Sequence, residues 1–218
     1  MDEKIEKGTD MQKEILLLGK KINVEKSPVV LSYQPDENWQ EVWRDTAGCW
    51  TYENGYLIGT EPANKGGILL SRERFEKDVM FSFTMASVLP ATRDLNAVYC
   101  VTWDEENNYL KKGYISGLNG WYESKSGIER FPEDELRCLT SLYHYEPGTE
   151  VRITTGAVQG HNFLIVDDVL IQEVVDNMDP IVGGYVGFSP YSTKLKVKDI
   201  EVREVCWEER EQSYLPEF

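Results

Sequence analysis

Short apolar runs separated by turn residues make up most of the chain after residue 28. The run Asp78–Val88 alternates apolar and polar side chains over much of its length, which is typical of a long half-buried strand. Asn54-Gly55 separates the runs Cys49–Glu53 and Tyr56–Gly59, and this dipeptide favours a hairpin because a type I′ turn needs positive φ at both positions. About eleven or twelve such runs follow one another at a spacing of roughly 8–12 residues. The pattern predicts an all-β sandwich or barrel.

The amino-terminal region is the place where this pattern is ambiguous. Thr9 is a candidate cap for a short helix that reaches Ile22, and a strand over Glu14–Leu18 is an equal alternative. No linker rich in Pro, Gly and Ser interrupts the rest of the chain. We therefore expect an amino-terminal arm over residues 1–28 and a single β-sandwich domain over residues 29–218, larger than the immunoglobulin type of about 100 residues.

The charge balance restricts the partners. The 218 residues include 23 Lys and Arg and 38 Asp and Glu, so the formal net charge is −15. Because nucleic acids and anionic membranes are bound by basic patches, neither is an expected partner. The first residues contain no apolar run typical of a secretory signal, and no segment has the ~20 apolar residues needed to span a bilayer. We therefore expect a cytoplasmic location.

The spacing of cysteine and histidine argues against a zinc site or a disulfide framework. The four cysteines form no CxxC pair, and a chain without a secretory signal is expected to keep them as free thiols. His144 and His161 belong to no HExxH motif. The sequence therefore predicts no cofactor. The cysteines are Cys49, Cys100, Cys138 and Cys206.

Several segments resemble the concanavalin A-like lectin/glucanase superfamily. Gly48–Leu57 has the Gly-x-Trp and Gly-x-Leu pattern of the opening hairpin, and Gly66–Leu70 followed by Phe81–Phe83 is similar to the next two strands. The closing part is similar in Val151–Ile153, in a hairpin around Asp167-Asp168, and in Gly184–Phe188 and Val197–Val202. Ser116–Trp121 is similar to a stretch of the uncharacterised YesU-like proteins of bacterial pectin-utilisation loci. The resemblance implies a jelly-roll sandwich of two antiparallel sheets. It also implies that an oligosaccharide or sugar derivative binds in the concave face of one sheet.

One departure from the superfamily concerns catalysis. Its glucanases carry two or three carboxylates at alternate positions of one strand, which places the acid and the nucleophile on one face. Here Asp104–Glu106 is contiguous at a strand end, and Glu133–Glu135 and Asp176–Asp179 lie in predicted loops. The glucanase mechanism is therefore not indicated, and the sequence leaves open whether the chain is a glycosidase, a lyase or a binding protein.

The segment Tyr109–Lys125 contains the densest combination of aromatic and polar side chains. Sugar recognition pairs an aromatic face with amide, carboxylate or cationic partners for the hydroxyls. Groups of both kinds occur together in this segment, which indicates a sugar-binding site. The alternative interpretation of the segment is a glycine-rich hairpin whose tryptophan covers the sandwich edge. The candidate ligand-binding residues of this segment are Asn119, Trp121 and Lys125, and Tyr122 and Glu123 are candidate proton-transfer residues.

A second group of candidates precedes this segment. Tyr99, Val101 and Trp103 share one face of a strand by period two, whereas Val98, Cys100 and Thr102 share the other. We expect the first row to face the ligand, with Arg93 beside it, and the second row to face the core. The ligand-binding candidates of this group are Arg93, Tyr99 and Trp103.

Three alternatives remain at this stage. His144, between two tyrosines, is a candidate general base, with a hydrogen-bonded surface residue as the competing interpretation. Sandwiches of this kind often hold a calcium ion, for which Asp36, Glu37 and Asp199 are candidate ligands, although no loop has an Asp-rich spacing. Finally, the chain could be a non-catalytic interaction subunit that uses a sheet as a protein interface.

Overall fold

The computed structural model describes residues 13–47, 49–61, 67–131 and 137–211, without the side chain of residue 123. Strands dominate these ranges, which confirms the predicted all-β class. The helical segments within them are the short 3₁₀ turns Trp39–Glu41 and Tyr122–Ser124, and neither is long and apolar enough to cross a membrane. In chain order the strands are β1 (Glu14–Leu17), β2 (Lys20–Asn23), β3 (Val29–Tyr33), β4 (Trp43–Asp45), β5 (Trp50–Glu53), β6 (Tyr56–Glu61), β7 (Leu69–Ser71), β8 (Val79–Ser87), β9 (Leu95–Asp104), β10 (Tyr109–Trp121), β11 (Lys125–Phe131), β12 (Arg137–Thr140), β13 (Val151–Val158), β14 (His161–Val166), β15 (Val169–Val175), β16 (Tyr185–Phe188), β17 (Thr193–Glu204) and β18 (Trp207–Glu209).

Two antiparallel sheets face each other across the core. The seven-stranded sheet has the order β12-β11-β10-β9-β16-β7-β4. The eight-stranded sheet has the order β15-β14-β13-β8-β17-β6-β5, and β3 pairs with β17 beside this path. Both sheets join strands that are distant in sequence, such as β8 with β17 and β9 with β16. This topology confirms the predicted two-sheet sandwich.

The β5–β6 hairpin forms at the predicted turn. Glu53 pairs with Tyr56, and the two residues between them have positive φ, 51° at Asn54 and 82° at Gly55. Glycine tolerates this backbone without a steric penalty, and asparagine tolerates it better than most residues. The local signal in the sequence was therefore sufficient to locate this hairpin.

Aromatic packing around Phe188 joins the two sheets. Phe188 belongs to the seven-stranded sheet, and its ring lies 5.1 Å from that of Phe81 and 4.9 Å from that of Phe83, both on β8 of the opposite sheet. Trp43 and Trp50 complete the cluster, at 5.8 Å and 6.1 Å from the same ring. Tilted and edge-on ring pairs at these separations add to the stabilisation that burial alone supplies. This cluster is the centre of the hydrophobic core.

A third sheet covers part of the outer face of the eight-stranded sheet. Its order is β1-β2-β18, so it contains the first and the last described strands. Ile15 and Ile22 of this small sheet pack against Met80 and Phe163 of the large one. The strand alternative for the amino-terminal region is therefore the one that forms over the described residues, whereas Thr9 lies outside them.

A hydrogen-bonded pair of His161 and Glu173 connects the eight-stranded sheet to the turn after β1 of the small sheet. His161 on β14 forms a 2.9 Å hydrogen bond between Nε2 and the Glu173 carboxylate, and the same carboxylate accepts a 2.9 Å bond from the Leu18 backbone N–H. Burial lowers the pKa of His161, although the charge of Glu173 opposes the shift. The neutral ring is therefore the form that the folded chain favours.

The four cysteines differ in their burial. No disulfide joins them, and all four lie in the described ranges. Cys100 is buried, and burial raises the pKa of its thiol well above the ordinary range, whereas Cys49 is only partly buried.

Phe188→Ala is expected to lower the free energy of unfolding by about 3–5 kcal/mol, because it leaves a cavity where both sheets meet. Urea unfolding measures the change. Val182→Ala, at an exposed residue, is the control and should cost well under half as much. A loss below about 1 kcal/mol in Phe188→Ala would contradict the central place of this ring.

His161→Gln is expected to flatten the pH dependence of stability. Since folding lowers the pKa of His161, the unfolded chain takes up its proton first, near pH 6.5. The wild-type free energy of unfolding should therefore fall as the pH drops from about 6.5, and this loss should be smaller in the variant. Urea unfolding at several pH values between about 7.5 and 5 tests this, and identical slopes in both proteins would contradict it.

Candidate functional site at the end of the seven-stranded sheet

A cavity of about 400 Å³ opens where β9 begins and β10 ends. Four of the residues singled out in the sequence line it together, and Arg137 from β12 completes one wall. The structure therefore brings together candidates that are 29 positions apart in the chain, from 93 to 122. The lining residues are Arg93, Asn119, Gly120, Trp121, Tyr122, Ser124 and Arg137.

An irregular end of β10 aims the two aromatic rings at this cavity. The pairing of β10 with β11 shifts register between Gly117 and Trp121, and Asn119 within that shift has a φ of 53°. The strand then ends in the 3₁₀ turn that carries Tyr122, whose side chain is 69% exposed. Trp121 is partly buried beside it. The irregularity interrupts the strict alternation that would send adjacent rings to opposite faces.

The indole of Trp121 is held by a carboxylate on the neighbouring strand. Its Nε1–H donates a 2.7 Å hydrogen bond to Oε2 of Glu129. The same oxygen accepts a 2.9 Å bond from Nε of Arg137, the cross-strand partner of Glu129. Glu129 pairs with Ile115 across the ladder, so this network lies on the outer face of the sheet, away from the core residue Ile128. The tryptophan therefore has a defined orientation.

A buried ion pair forms the opposite wall. Arg93 Nε lies 2.5 Å from Oδ2 of Asp94, whose side chain is 2% exposed, whereas the side chain of Arg93 is 56% exposed. Burial raises the pKa of the Asp94 carboxyl, and the Arg93 charge and a hydrogen bond from Asn96 oppose the shift. The Asp94 backbone N–H donates to the Asn119 carbonyl at 3.3 Å, which ties the two walls together.

Two amide oxygens near the cavity have no hydrogen-bond partner among the described residues, Oδ1 of Asn96 and Oδ1 of Asn119. Asn119 is 8% exposed, and its Nδ2 donates to the carbonyls of Thr92 and Tyr145. Asn96 Oδ1 lies only 2.0 Å from where a Cβ on Gly117 would stand, so glycine is required there. An unsatisfied buried acceptor costs about 1–3 kcal/mol. Both oxygens are themselves almost inaccessible to solvent, so they belong to the interior of the cavity wall.

The prediction for Tyr99 is wrong. Cys100 has a φ of 52°, and the pairing of β9 with β16 shifts register between Val98 and Val101. Tyr99 and Cys100 consequently both face the core. Val98 and Val101 both join the apolar cluster on the outer face. Tyr99 is fully buried and packs against Tyr114 at 5.6 Å, so it does not reach a ligand on the sheet surface.

Trp103 lies on the outer face, as expected, but away from the cavity. It stands eight residues after Leu95, or about 25 Å along β9. It is buried in the outer apolar cluster, where its ring lies 5.8 Å from the Arg44 guanidinium. Lys125 pairs with Trp121 in the ladder but does not line the cavity. The structure does not bring these two candidates together with the other four.

The predicted proton-transfer residues separate in the structure. Tyr122 lines the cavity, whereas His144 is exposed in the segment between β12 and β13 and is not among the lining residues. Its neighbour Tyr145 is buried and holds the Asn119 amide through its carbonyl at 3.3 Å. The side chain of Glu123 lies outside the described residues, so its role stays a prediction.

A second groove, of about 450 Å³, lies on the outer face of the eight-stranded sheet beside the small sheet. Hydroxyl, carboxylate, arginine and aliphatic side chains line it, among them Ser82, Thr154 and Arg152, and none of its lining residues is aromatic. It therefore lacks a ring on which a sugar stacks.

Within the described ranges, no group of three or more His, Cys, Asp or Glu side chains is arranged to hold a metal ion. Calcium binding by Asp36, Glu37 and Asp199 stays a prediction. Asp36 is engaged locally, since its Oδ1 accepts a 2.8 Å bond from the backbone N–H of Asn38.

The fold is that of concanavalin A-like sandwiches. No protein-family model and no curated protein sequence matches the chain. Among solved structures, a Bacillus subtilis protein of unknown function with a galectin-like fold matches with a TM-score of 0.61 and 11% identity, over 83% of this chain and 98% of that one. The Bacillus subtilis carbohydrate-binding module CBM66 matches with a TM-score of 0.58 and 14% identity, over 74% and 94%. Crh5 transglycosylase in complex with NAG matches with a TM-score of 0.56 and 10% identity, over 83% and 88%.

These structural neighbours include a carbohydrate-binding module and a transglycosylase on one architecture. At such low identity the likeness concerns the fold, and a shared fold does not determine an activity. The resemblance of the sequence to the lectin/glucanase superfamily is thus confirmed at the level of the fold. The likeness to YesU-like proteins is not confirmed.

Sequence reasoning missed three residues that shape the cavity, Asp94, Glu129 and Arg137. A signal for the last two was available in their opposite charges, because oppositely charged side chains stabilise neighbouring positions on paired strands. No comparable signal exists for Asp94, whose importance depends on its burial.

Glu129→Ala is expected to release the Trp121 indole. Without its acceptor, the Nε1–H should exchange faster with solvent, and its proton resonance should move upfield. A ¹H–¹⁵N correlation spectrum measures both effects, and Trp121→Phe assigns the signal. Glu129→Gln keeps a carbonyl acceptor and should change the resonance less. An unchanged indole signal in Glu129→Ala would contradict the hydrogen bond.

Proposed function

We propose that this protein binds a saccharide in the cavity formed by Arg93, Asn119, Trp121, Tyr122 and Arg137. The observation that carries the proposal is the position of two aromatic rings, Trp121 and Tyr122, beside two guanidinium groups in one cavity. The comparisons support it in a general way, because the similar structures include a carbohydrate-binding module and a transglycosylase with bound NAG.

The aromatic side chains supply the apolar half of the interaction. A sugar ring has faces of C–H groups that pack on an aromatic ring, and removal of this apolar area from water is favourable. Tyr122 is largely exposed, so a ligand that covers its ring removes most of the ring's apolar area from water and gains the corresponding free energy. Trp121 is already held by Glu129, which reduces the entropy lost when a ligand binds.

The polar side chains supply orientation. A sugar hydroxyl both donates and accepts hydrogen bonds, so it accepts from a guanidinium that lines the cavity while it donates to a neighbouring acceptor or to water. Of the residues lining the cavity, Asn119 is the least exposed polar one, and its amide is fixed by two backbone carbonyls. Preorganised polar groups of this kind give specificity at little cost in side-chain entropy.

Binding without catalysis is the version that the described residues favour. Among the described side chains, the carboxylates at the cavity walls are those of Asp94 and Glu129, and each is engaged by an arginine. A retaining glycosidase needs two carboxyl groups about 5–5.5 Å apart that are accessible to one glycosidic bond. Asp94 is 2% exposed, which does not suit a group that must reach substrate. His144 does not line the cavity.

The interaction-subunit alternative is less favoured. On the outer face of the seven-stranded sheet, the large apolar side chains Leu70, Val98, Val101 and Trp103 are buried within the chain. They offer no apolar patch of the kind that protein interfaces use.

A thermal-shift screen against mono- and oligosaccharides, followed by calorimetry, tests the proposal. A sugar at 100 times its Kd adds about 2.7 kcal/mol to the free energy of unfolding and raises Tm. Trp121→Ala and Tyr122→Ala should each weaken binding at least about tenfold, the effect of losing roughly 1.4 kcal/mol. Tyr109→Ala is the matched control, because Tyr109 is an exposed ring at the other end of β10.

Two outcomes would contradict the proposal. Sugar binding that is insensitive to Trp121→Ala and Tyr122→Ala would place the site elsewhere, with the groove on the opposite sheet as the first candidate. Cleavage of the oligosaccharides by the wild type, detected by chromatography and absent in Glu129→Gln, would replace binding by catalysis.

A further inference from the structure

The charged side chains that are described in the lining of the cavity are cationic, although the chain as a whole is acidic. The formal net charge is −15, yet the described side chains that line the cavity include two guanidinium groups and no carboxylate. The carboxylates that accompany the arginines stand behind them, with side chains 2% exposed at Asp94 and 14% exposed at Glu129. Of these two ion pairs, the guanidinium groups are therefore more exposed than the carboxylates.

The two edges of the Arg93 guanidinium have different surroundings, one in contact with the protein and the other open to the cavity. Its Nε is paired with Asp94, and its Nη1 and Nη2 form no hydrogen bond with the described residues. The side chain is more than half exposed while its Nε end is anchored to a buried group. The buried carboxylate thus fixes the orientation of an arginine whose outer N–H groups are accessible from the cavity.

Arg137 adds a second positive charge to the same cavity. Its Nε is held by the Glu129 carboxylate, which also holds the Trp121 indole. The aromatic ring and this guanidinium are consequently positioned by one group. A sugar ring packed against Trp121 would lie close to a positive charge.

Resting on the saccharide-binding function proposed above, we infer that the sugar bound here carries a carboxylate, and that Arg93 recognises that carboxylate. The planar fork of a guanidinium matches the two oxygens of a carboxylate, and this charge-assisted pairing is stronger than a bond to a neutral hydroxyl. The distant acidic surface opposes an anionic ligand only weakly, because charges beyond about 8 Å are screened at physiological salt. The ligand class is therefore an acidic sugar such as a hexuronic acid.

Matched sugar pairs test the inference without any mutation. Trisaccharides of glucuronic and galacturonic acid differ from the corresponding glucose and galactose trisaccharides by a carboxylate in place of a hydroxymethyl group. Calorimetry on the full chain should give an acidic member that binds about 10- to 100-fold more tightly than its neutral partner, the effect of a hydrogen-bonded ion pair. Equal affinity, or a preference for the neutral sugar, would overturn the inference. A preference for a sulfated sugar over both would also overturn it.

Variants of Arg93 locate the preference. Arg93→Gln should remove most of the difference between the acidic and neutral sugars while the neutral sugar still binds. Arg93→Lys keeps the charge but loses the planar fork, and should keep only part of the preference. Arg74→Gln removes an exposed arginine that pairs with Glu76 elsewhere on the chain, and should change nothing. An acid preference that survives intact in Arg93→Gln would overturn the role of Arg93.

A folding control accompanies these variants, since Arg93→Gln leaves Asp94 buried without its cation. The double variant Arg93→Gln/Asp94→Asn removes both charges, and it should recover stability without recovering the acid preference. Recovery of the preference in the double variant would also overturn the role of Arg93.

The same measurements separate this inference from the function on which it rests. If no sugar of either kind binds the wild type, the saccharide-binding function itself fails. If acidic and neutral sugars bind alike and both are lost in Trp121→Ala, the function stands and only the inference about the carboxylate fails.

Discussion

The packing of aromatic rings between the two sheets is the interaction on which the rest of the structure depends. Phe188 lies within about 6 Å of four other rings, which come from both sheets and from strands more than 100 positions earlier in the sequence. Because each sheet alone would expose one apolar face to water, neither is stable without the other. Their apposition fixes which face of the seven-stranded sheet points outward, and so which side chains a ligand can reach.

The cavity arises where the regular sheet ends and its geometry becomes irregular. The register shift near the end of β10 and the positive φ at Asn119 interrupt the alternation of side chains. Gly117 leaves room for the Asn96 amide, which a larger residue would displace. A regular strand would provide neither the space nor adjacent aromatic rings on one side, because period two sends neighbours to opposite faces. The candidate site thus consists of irregular backbone segments, and the regular strands that flank them fix their positions.

The arginines of the cavity illustrate how an acidic protein presents local positive charge. In both walls a carboxylate that is largely withdrawn from solvent holds the Nε of an arginine that lines the cavity. An unpaired buried carboxylate would destabilise the folded state, so each carboxylate holds its arginine in place. The ion pair thereby orients the guanidinium. Net charge describes the long-range field, which salt screens, whereas recognition depends on the few groups that contact the ligand.

The local pattern of the sequence was enough to identify the all-β class and the hairpin at Asn54-Gly55. It also named Asn119 and Trp121 as candidate ligand-binding residues, with a hairpin that covers the sandwich edge as the alternative. These features depend on neighbouring residues, so a single sequence contains them. The positions of Tyr99 and Trp103 depend on the tertiary structure. The irregularity at Cys100 directs Tyr99 into the core, and Trp103 lies near the far end of β9, away from the cavity. The roles of Asp94 and Arg137 were also decided there, since burial and contacts between strands distant in sequence are properties of the assembled sheets. The alternation of side chains along a strand is a local property of the sequence. Strand register, side-chain burial and the contacts between strand ends are determined only when the two sheets pack together.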